Sequence, residues 1–407
     1  MAAARRTPSA SPSPVVPESF QSVDHFIEAN ALGDLPGRQL DAIRESAPAF
    51  REWFRAQGTC ASVSTCHLIG LPYPRSFGLW RAALSPAPFV RISNRMMVVQ
   101  FEERGNIRTL LVEPTEYELA ARTPFFSSLD ARVPGWLRSR VLDTGPTVEE
   151  HLRRLTIALS TIDYITFDHL HTQDLRRWLG TTQPQPDLEA LGWSRRSEPV
   201  EPLFPNARLL VRRPEWEQLS SLHPMQRPWY QPSTFATLRS DKIVLLDSDV
   251  LLGPGVALVA TPGHTPGNHT IVLNTGSGIW TQSENGIHAE CYTPERSKIP
   301  GLARHARRYD QEVILNANTP DFTAIQYNNM VKEKLIADRG GPGGEWVQHF
   351  SSSELTPWNG APGVSPSFTY GGISHGTLLA PGAVTGSAEP ASIAARGAVT
   401  GSSDGSR

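Results

Sequence analysis

The chain has 407 residues and a formal net charge of −2, with Lys+Arg 38 against Asp+Glu 40. That balance sets up no field to draw in nucleic acid or an anionic membrane, so neither is expected as a partner. Cys60, Cys66 and Cys291 are too few for a disulfide framework and odd in number, which favours a reducing compartment. No stretch approaches the ~18 apolar residues of a membrane span, and the N-terminus lacks the apolar core of a secretory signal. A soluble, cytoplasmic protein is expected.

The length exceeds the ~250–300 residues at which single cores stop growing, which suggests one large domain with ragged ends. Residues 1–17 read as a disordered tail. The segment 18–87 reads as an N-terminal extension packed on the core, with apolar residues at helical spacing around Leu40, Ile43, Phe50, Trp53 and Phe54. A main domain over 88–345 follows, then a C-terminal extension over 346–380. The Gly/Ala/Ser-rich residues 381–407 read as a disordered low-complexity tail.

Within the main domain, 89–92 and 96–101 are strand-like, and Arg104, Gly105 and Asn106 supply a turn into a strand over 107–112. Thr147 and Glu150 match a capping box, with Leu152, Leu155 and Leu159 on one face of the helix that it opens. A short strand at 162–166 leads directly into Asp168, His169, Leu170, His171, Thr172, Gln173 and Asp174. Further strands are expected at 207–211, 243–246, 256–259, 270–273, 278–280 and 312–315. The fifth residue after 256–259 is His264, inside Thr261-Pro262-Gly263-His264-Thr265-Pro266-Gly267.

Alternate residues of an extended segment point the same way, so His169 and His171 can converge on one ion if a third ligand comes from elsewhere. His264, on a turn stiffened by proline, is that third candidate. Neutral imidazoles suit Zn, Fe or Mn. Taken singly, each histidine is more simply a core or surface residue; their shared position after strands is what points to a site. The other histidines carry no such spacing.

In these motifs the chain resembles the metallo-β-lactamase superfamily, over about 90 to 340 and in the same order, with lactonase and glyoxalase-type members in view. The resemblance implies an α/β protein of the αββα sandwich type with its metal site at one edge between two sheets. It implies His169, His171 and His264 as metal ligands for one or two ions, Zn2+ foremost with Fe or Mn as alternatives. Where the family has Asp then His, this chain has Gln173 then Asp174, so Asp174 can stand in as ligand, water-orienting group or general base, or else serve as a helix N-terminal acid. The family's bridging Asp aligns with Glu284, which the resemblance implies as a further metal ligand, and its final His with Asn318, which is assigned a supporting role beside the ligands. His288 is a further ligand candidate.

The function implied is a hydrolase of a small ester, lactone or thioester that uses metal-bound hydroxide. A mononuclear iron oxidoreductase of the sulfur-dioxygenase type and a non-catalytic binding protein are the alternatives, and the expected partner is a small-molecule substrate.

Overall fold

A computed structural model describes residues 16–131, 142–195, 197–358 and 364–379. The tails expected at 1–17 and 381–407 lie outside these residues, apart from 16 and 17. The chain enters through β1 (Gln21–Val23) and the helix Pro36–Ala56, then lays down β2 (Ser62–Pro74), β3 (Phe89–Glu103) and β4 (Asn106–Val112). Short β5 (Asp143–Thr144) precedes β6 (Tyr164–Thr166), β7 (Arg208–Arg212) and β8 (Ile243–Leu246). A meander follows, of β9 (Asp249–Gly253), β10 (Val256–Ala260), β11 (His269–Thr275) and β12 (Gly278–Gln282). The helices Leu302–Tyr309 and Thr323–Ile336 lead to β13 (Arg339–Gly340), β14 (Trp346–Val347), β15 (Ser353–Thr356) and β16 (Ser374–His375).

These strands make two large sheets. One runs β1-β9-β10-β11-β12; the other runs β16-β2-β3-β4-β6-β7-β8, with β15 on β3 and β5 on β2. The two-residue period of a strand decides how they stack. In β10, Val256 and Leu258 join a core that also takes Leu110 and Val112 of β4 and Val244 and Leu246 of β8, so this core fills the space between the sheets. The alternate residues Ala257 and Val259 face Phe50 and Phe54 of the helix Pro36–Ala56 and Ile336 of the helix Thr323–Ile336. On the second sheet, Leu111, Ile165, Leu209 and Leu245 face outward and pack beneath Leu152, Trp178 and Phe204. The layers are therefore helix, sheet, sheet, helix, the αββα sandwich. Sheets covered on both faces need apolar residues in both phases, which is why these strands read as continuous apolar runs.

Several local expectations are corrected. The two strands expected at 89–92 and 96–101 are one strand, because the buried polar residues between them find partners on β15. Ser93 pairs with Thr356 at 3.0 Å, Asn94 with Ser353 at 3.4 Å, and Arg95 with Glu354 at 2.6 Å. No strand forms at 312–315. The segment 18–87 contributes β1 to one sheet and β2 to the other, and the segment 346–380 contributes β15 and β16. The capping box at Thr147 and Glu150 is present with both of its hydrogen bonds. Among the described residues no helix is long and apolar enough to cross a membrane.

Candidate metal centre

β4, β6, β7 and β8 are parallel neighbours, so the loops leaving their C-terminal ends gather at one edge of the sheet. They carry Glu113 and Thr115, then Asp168, His169 and His171, then Glu215. The other sheet presents its own strand ends at the same edge: Thr261 to Gly267 after β10, and Ser283 to Asn285 after β12. The two sets are laced together where His269 N–H donates to the Asp168 carbonyl at 2.9 Å.

His169, His171 and His264 meet at this edge, all buried, with one ligand nitrogen from each lying within 4.8 Å of the others. Their ring centroids are 4.5, 4.6 and 5.0 Å apart. Hydrogen bonds select the nitrogens that face inward. Asp168 Oδ1 accepts from His169 Nδ1 at 2.6 Å, which leaves Nε2 free. Gln226 Oε1 accepts from His171 Nε2 at 2.7 Å and turns the amide nitrogen toward the His264 carbonyl and Asp321, which leaves His171 Nδ1 facing His264 Nε2 at 3.2 Å. Fixing the outward nitrogen of a metal-binding imidazole in this way sets its tautomer and ring angle.

Charge follows the same geometry. Burial and the neighbouring imidazoles hold His171 well below the usual histidine range, and burial with His169 beside it takes His264 down to about 3. Burial also acts to lower His169, but the Asp168 carboxylate overcomes it and raises that ring to about 9. Two neutral imidazoles and one carboxylate-backed imidazole around a common point are a donor set for a transition-metal cation, and the residues fit one such ion.

The turn that carries His264 explains its own sequence. A Cβ on Gly263, where φ is +151°, would lie 2.2 Å from the Gln326 Cα; one on Gly267 would lie 2.1 Å from the Glu215 backbone nitrogen. Both glycines are close-approach positions rather than hinges. Asn285 Oδ1 accepts from His264 N–H at 3.3 Å, and Thr319 Oγ1 donates to the His264 carbonyl at 2.6 Å.

Two buried carboxylates tie the edge together, and neither was expected from sequence. Glu215 accepts from Leu170 N–H at 2.8 Å, between the paired histidines, and from Thr265 Oγ1 at 2.6 Å, next to His264. It also accepts from Tyr230 at 2.5 Å and Gln218 at 2.7 Å. Glu333 takes Thr270 at 2.6 Å, Ser283 at 2.7 Å, Asn285 at 3.0 Å and Tyr292 at 2.6 Å. This explains how the helix Thr323–Ile336 can bury polar residues on a face that hydropathy would leave in water.

The remaining expected residues separate. Glu284 lies in the same cavity as the histidines, accepting from Ser352 Oγ at 2.9 Å, while its own N–H donates to Asp168 Oδ2 at 2.5 Å. Burial, reinforced by the Asp168 charge against the opposing pull of His169, raises its carboxyl to about 7. Asn318 and Gln173 also line the cavity, Gln173 donating to Thr115 Oγ1 at 3.1 Å. Asp174 does neither. Its oxygens are held by the Arg176 guanidinium at 3.0 and 2.6 Å, and it stands outside both the histidine cluster and the cavity lining, so the ligand and general-base roles expected of it are not supported. His288 is likewise turned away, bonded to the Phe368 carbonyl at 3.0 Å.

Of the expected residues other than the histidines, Glu284 is the one carboxylate that shares the cavity with them.

The cavity has a volume of about 360 Å³. Two of its wall residues, Glu113 and Thr172, hold left-handed backbone at φ +56° and +62°, a strain that packed surroundings must impose.

Layer order, parallel strand ends and a three-histidine cluster at the shared edge define the metallo-β-lactamase type of fold. No family model and no curated protein matches the chain. Among solved structures it is similar to a dizinc quorum-quenching lactonase with bound product, at 12% identity over 76% of this chain and 95% of that one, with a TM-score of 0.45. It is also similar to a probable metal-dependent hydrolase from Staphylococcus aureus, at 12% identity over 68% and 84%, TM-score 0.43. A quorum-quenching N-acyl homoserine lactone lactonase matches at 17% identity over 63% and 90%, TM-score 0.39.

Proposed function

We propose that the chain is a metal-dependent hydrolase of a small ester, lactone or thioester, with one ion held by His169 Nε2, His171 Nδ1 and His264 Nε2. The observation that carries this reading is the convergence of three buried imidazoles at the wall of a cavity, with the His169 and His171 rings oriented by Asp168 and Gln226 and the His264 backbone held by Asn285 and Thr319. Zinc is the ion that such a set suits best. A bound ion of this kind acidifies a water toward pKa ~7 and polarises a carbonyl.

The chain's own residues do the rest. Asp168 and Gln226 hold the ligand rings, and Glu215 and Glu333 hold the loops that carry them. Glu284, the cavity carboxylate beside His169, takes a proton from the attacking water and returns it to the leaving oxygen or sulfur. Elemental analysis of the purified protein tests the reading: it expects about one zinc per chain, lost together with ester hydrolysis in His264→Ala. Wild-type protein without stoichiometric metal would sink it.

A one-ion site also favours a second reading, iron chemistry with dioxygen. Stoichiometric iron together with oxygen uptake would select it.

A further inference from the structure

The helix Thr323–Ile336 buries a row of polar side chains that the proposed chemistry leaves unused. Gln326, Asn329 and Lys332 recur every third residue, so they lie on successive turns of one side, and all are buried. Each donates to a main-chain carbonyl of the loops at the candidate metal centre. Gln326 reaches Asn285 at 2.9 Å and Asn316 at 2.6 Å, Asn329 reaches Pro262 at 2.6 Å, and Lys332 reaches Ala260 at 2.8 Å. The turn that carries His264 is moulded on this helix.

Lys332 is the member that needs a physical reason. A buried ammonium is costly, and an apolar residue of similar volume often serves stability as well. The ladder between β9 and β10 supplies the reason. Its last pair is Val250 with Leu258, so the N–H and carbonyl of Ala260 run on past the paired residues. Buried backbone groups require partners, and two charged side chains provide them. Asp249 Oδ1 accepts from Ala260 N–H at 2.7 Å while Lys332 Nζ takes the Ala260 carbonyl, so the two grip the residue from which the His264 turn departs.

The surroundings keep this ammonium in place. It lies 3.8 Å from the Phe26 ring centroid and 3.5 Å from Asn30 Oδ1. Arg212 stands 3.4 Å from Asp249 Oδ1, and Glu333 is the next residue on the helix. Burial draws the Lys332 ammonium down to about 8 against the pull of Asp249, which leaves it charged at neutral pH.

We infer that Lys332, acting with Asp249 through Ala260, is a positioning residue for His264, a charged clamp at the root of the turn. The inference rests on the proposed metal site for what the turn serves, but not for what holds the turn.

Lys332→Met removes the donor and keeps most of the volume. Asp249→Asn, which keeps an acceptor for Ala260 N–H without the charge, takes its place if the first variant does not fold. Asn328→Ala is the control, since Asn328 is buried on the same helix but bonds to Pro36 and Gln39. Hydrogen exchange after removal of metal by a chelator reads the turn directly. In Lys332→Met the amides of 261–268 are expected to exchange at least about tenfold faster relative to the rest of the chain, the least that loss of a charge-assisted hydrogen bond implies. In Asn328→Ala that ratio is expected to stay at wild type. Competition with a chelator should find zinc held about 10–100-fold more weakly in Lys332→Met. The ligand-field bands of its cobalt(II)-loaded form should shift, a signature that a general loss of stability does not produce.

Wild-type exchange in the turn of Lys332→Met overturns the inference, whatever metal the protein holds. A looser turn that holds zinc as tightly as wild type, with unshifted cobalt bands, overturns it too, because the clamp would then not reach His264. A looser turn in a protein whose wild type takes up no metal upholds the clamp and overturns the metal-dependent reading instead.

Discussion

Replacing Glu215 by Gln changes one atom at the junction of both histidine loops. The carboxylate is fully buried and accepts four hydrogen bonds, two on each oxygen. A carboxamide keeps one acceptor oxygen and presents an NH2 where the other stood, so in either orientation it meets an N–H donor, from Leu170 or from Gln218. The Thr265 and Tyr230 hydroxyls can turn to accept, whereas an amide N–H cannot. One buried donor set against another costs about 1–3 kcal/mol, a large part of the ~5–15 kcal/mol that holds a typical domain folded.

The larger consequence is local. Leu170 lies between His169 and His171 and Thr265 adjoins His264, so relaxation of this contact misaligns the cluster and, on the proposed reading, should weaken metal binding about 10–100-fold, the range seen when supporting partners of ligands are altered. Urea unfolding and competition for zinc with a chelator measure the two effects, with Glu217→Gln, at the exposed end of the same helix, as control. A Glu215→Gln protein that unfolds with wild type and holds zinc within twofold of it would refute the bridging role.

Asp174→Asn should lower stability by about 1–3 kcal/mol, because Arg176 keeps Asp187 but loses a buried partner. Its zinc content should stay at wild type; loss of metal would return Asp174 to the site. Gly263→Ala drives a methyl into the backbone of the helix Thr323–Ile336 and should cost at least about 1–3 kcal/mol by chemical denaturation, whereas Gly37→Ala, with open space around it, should be neutral or slightly stabilising. For pH, burial lowers both His269 and His349 to about 3 from an ordinary 6.5. Below pH 6.5 the unfolded chain takes up protons that the folded chain refuses, so stability falls as pH drops from 6.5 toward 3. The ceiling is about 5 kcal/mol for each group. His349→Gln should flatten that acid limb in denaturation measured across the window, and an unchanged slope would contradict it.

What the sequence made legible is what strand periodicity and backbone sterics write directly. Runs such as 256–259 and 243–246 are apolar in both phases because both faces of their sheets are covered. The spaced glycines around His264 betray two backbones in close approach. Asp174 shows where the reading ran out: its position in the motif suggested a ligand, but Arg176 two residues on had a better claim, and only side-chain direction decides between them. The helix Thr323–Ile336 was missed for a related reason. Gln326, Asn329, Lys332 and Glu333 carry no amphipathic signal, since their burial is compensated by partners far away in sequence, such as Ala260, Pro262, Thr270 and Asn316. Asp168 stood in plain view beside His169, and an acid adjacent to a ligand is a signal that could have been weighed.

The pairing of β15 with β3 also sets the order in which the protein can become competent. Ser352, at the entrance to β15, is the residue whose hydroxyl reaches Glu284, and Ser353 closes the wall beside it. A ribosome that has delivered all three histidines has still not delivered this strand. Until residue 356 emerges, Arg95 has no Glu354 to answer it and Glu284 lacks the hydroxyl that Ser352 offers. A chain stopped at residue 345, where the main domain read from sequence ends, would hold all three histidines and yet lack one wall of the pocket. During synthesis, therefore, assembly of the reaction chamber is one of the last events and not one of the first.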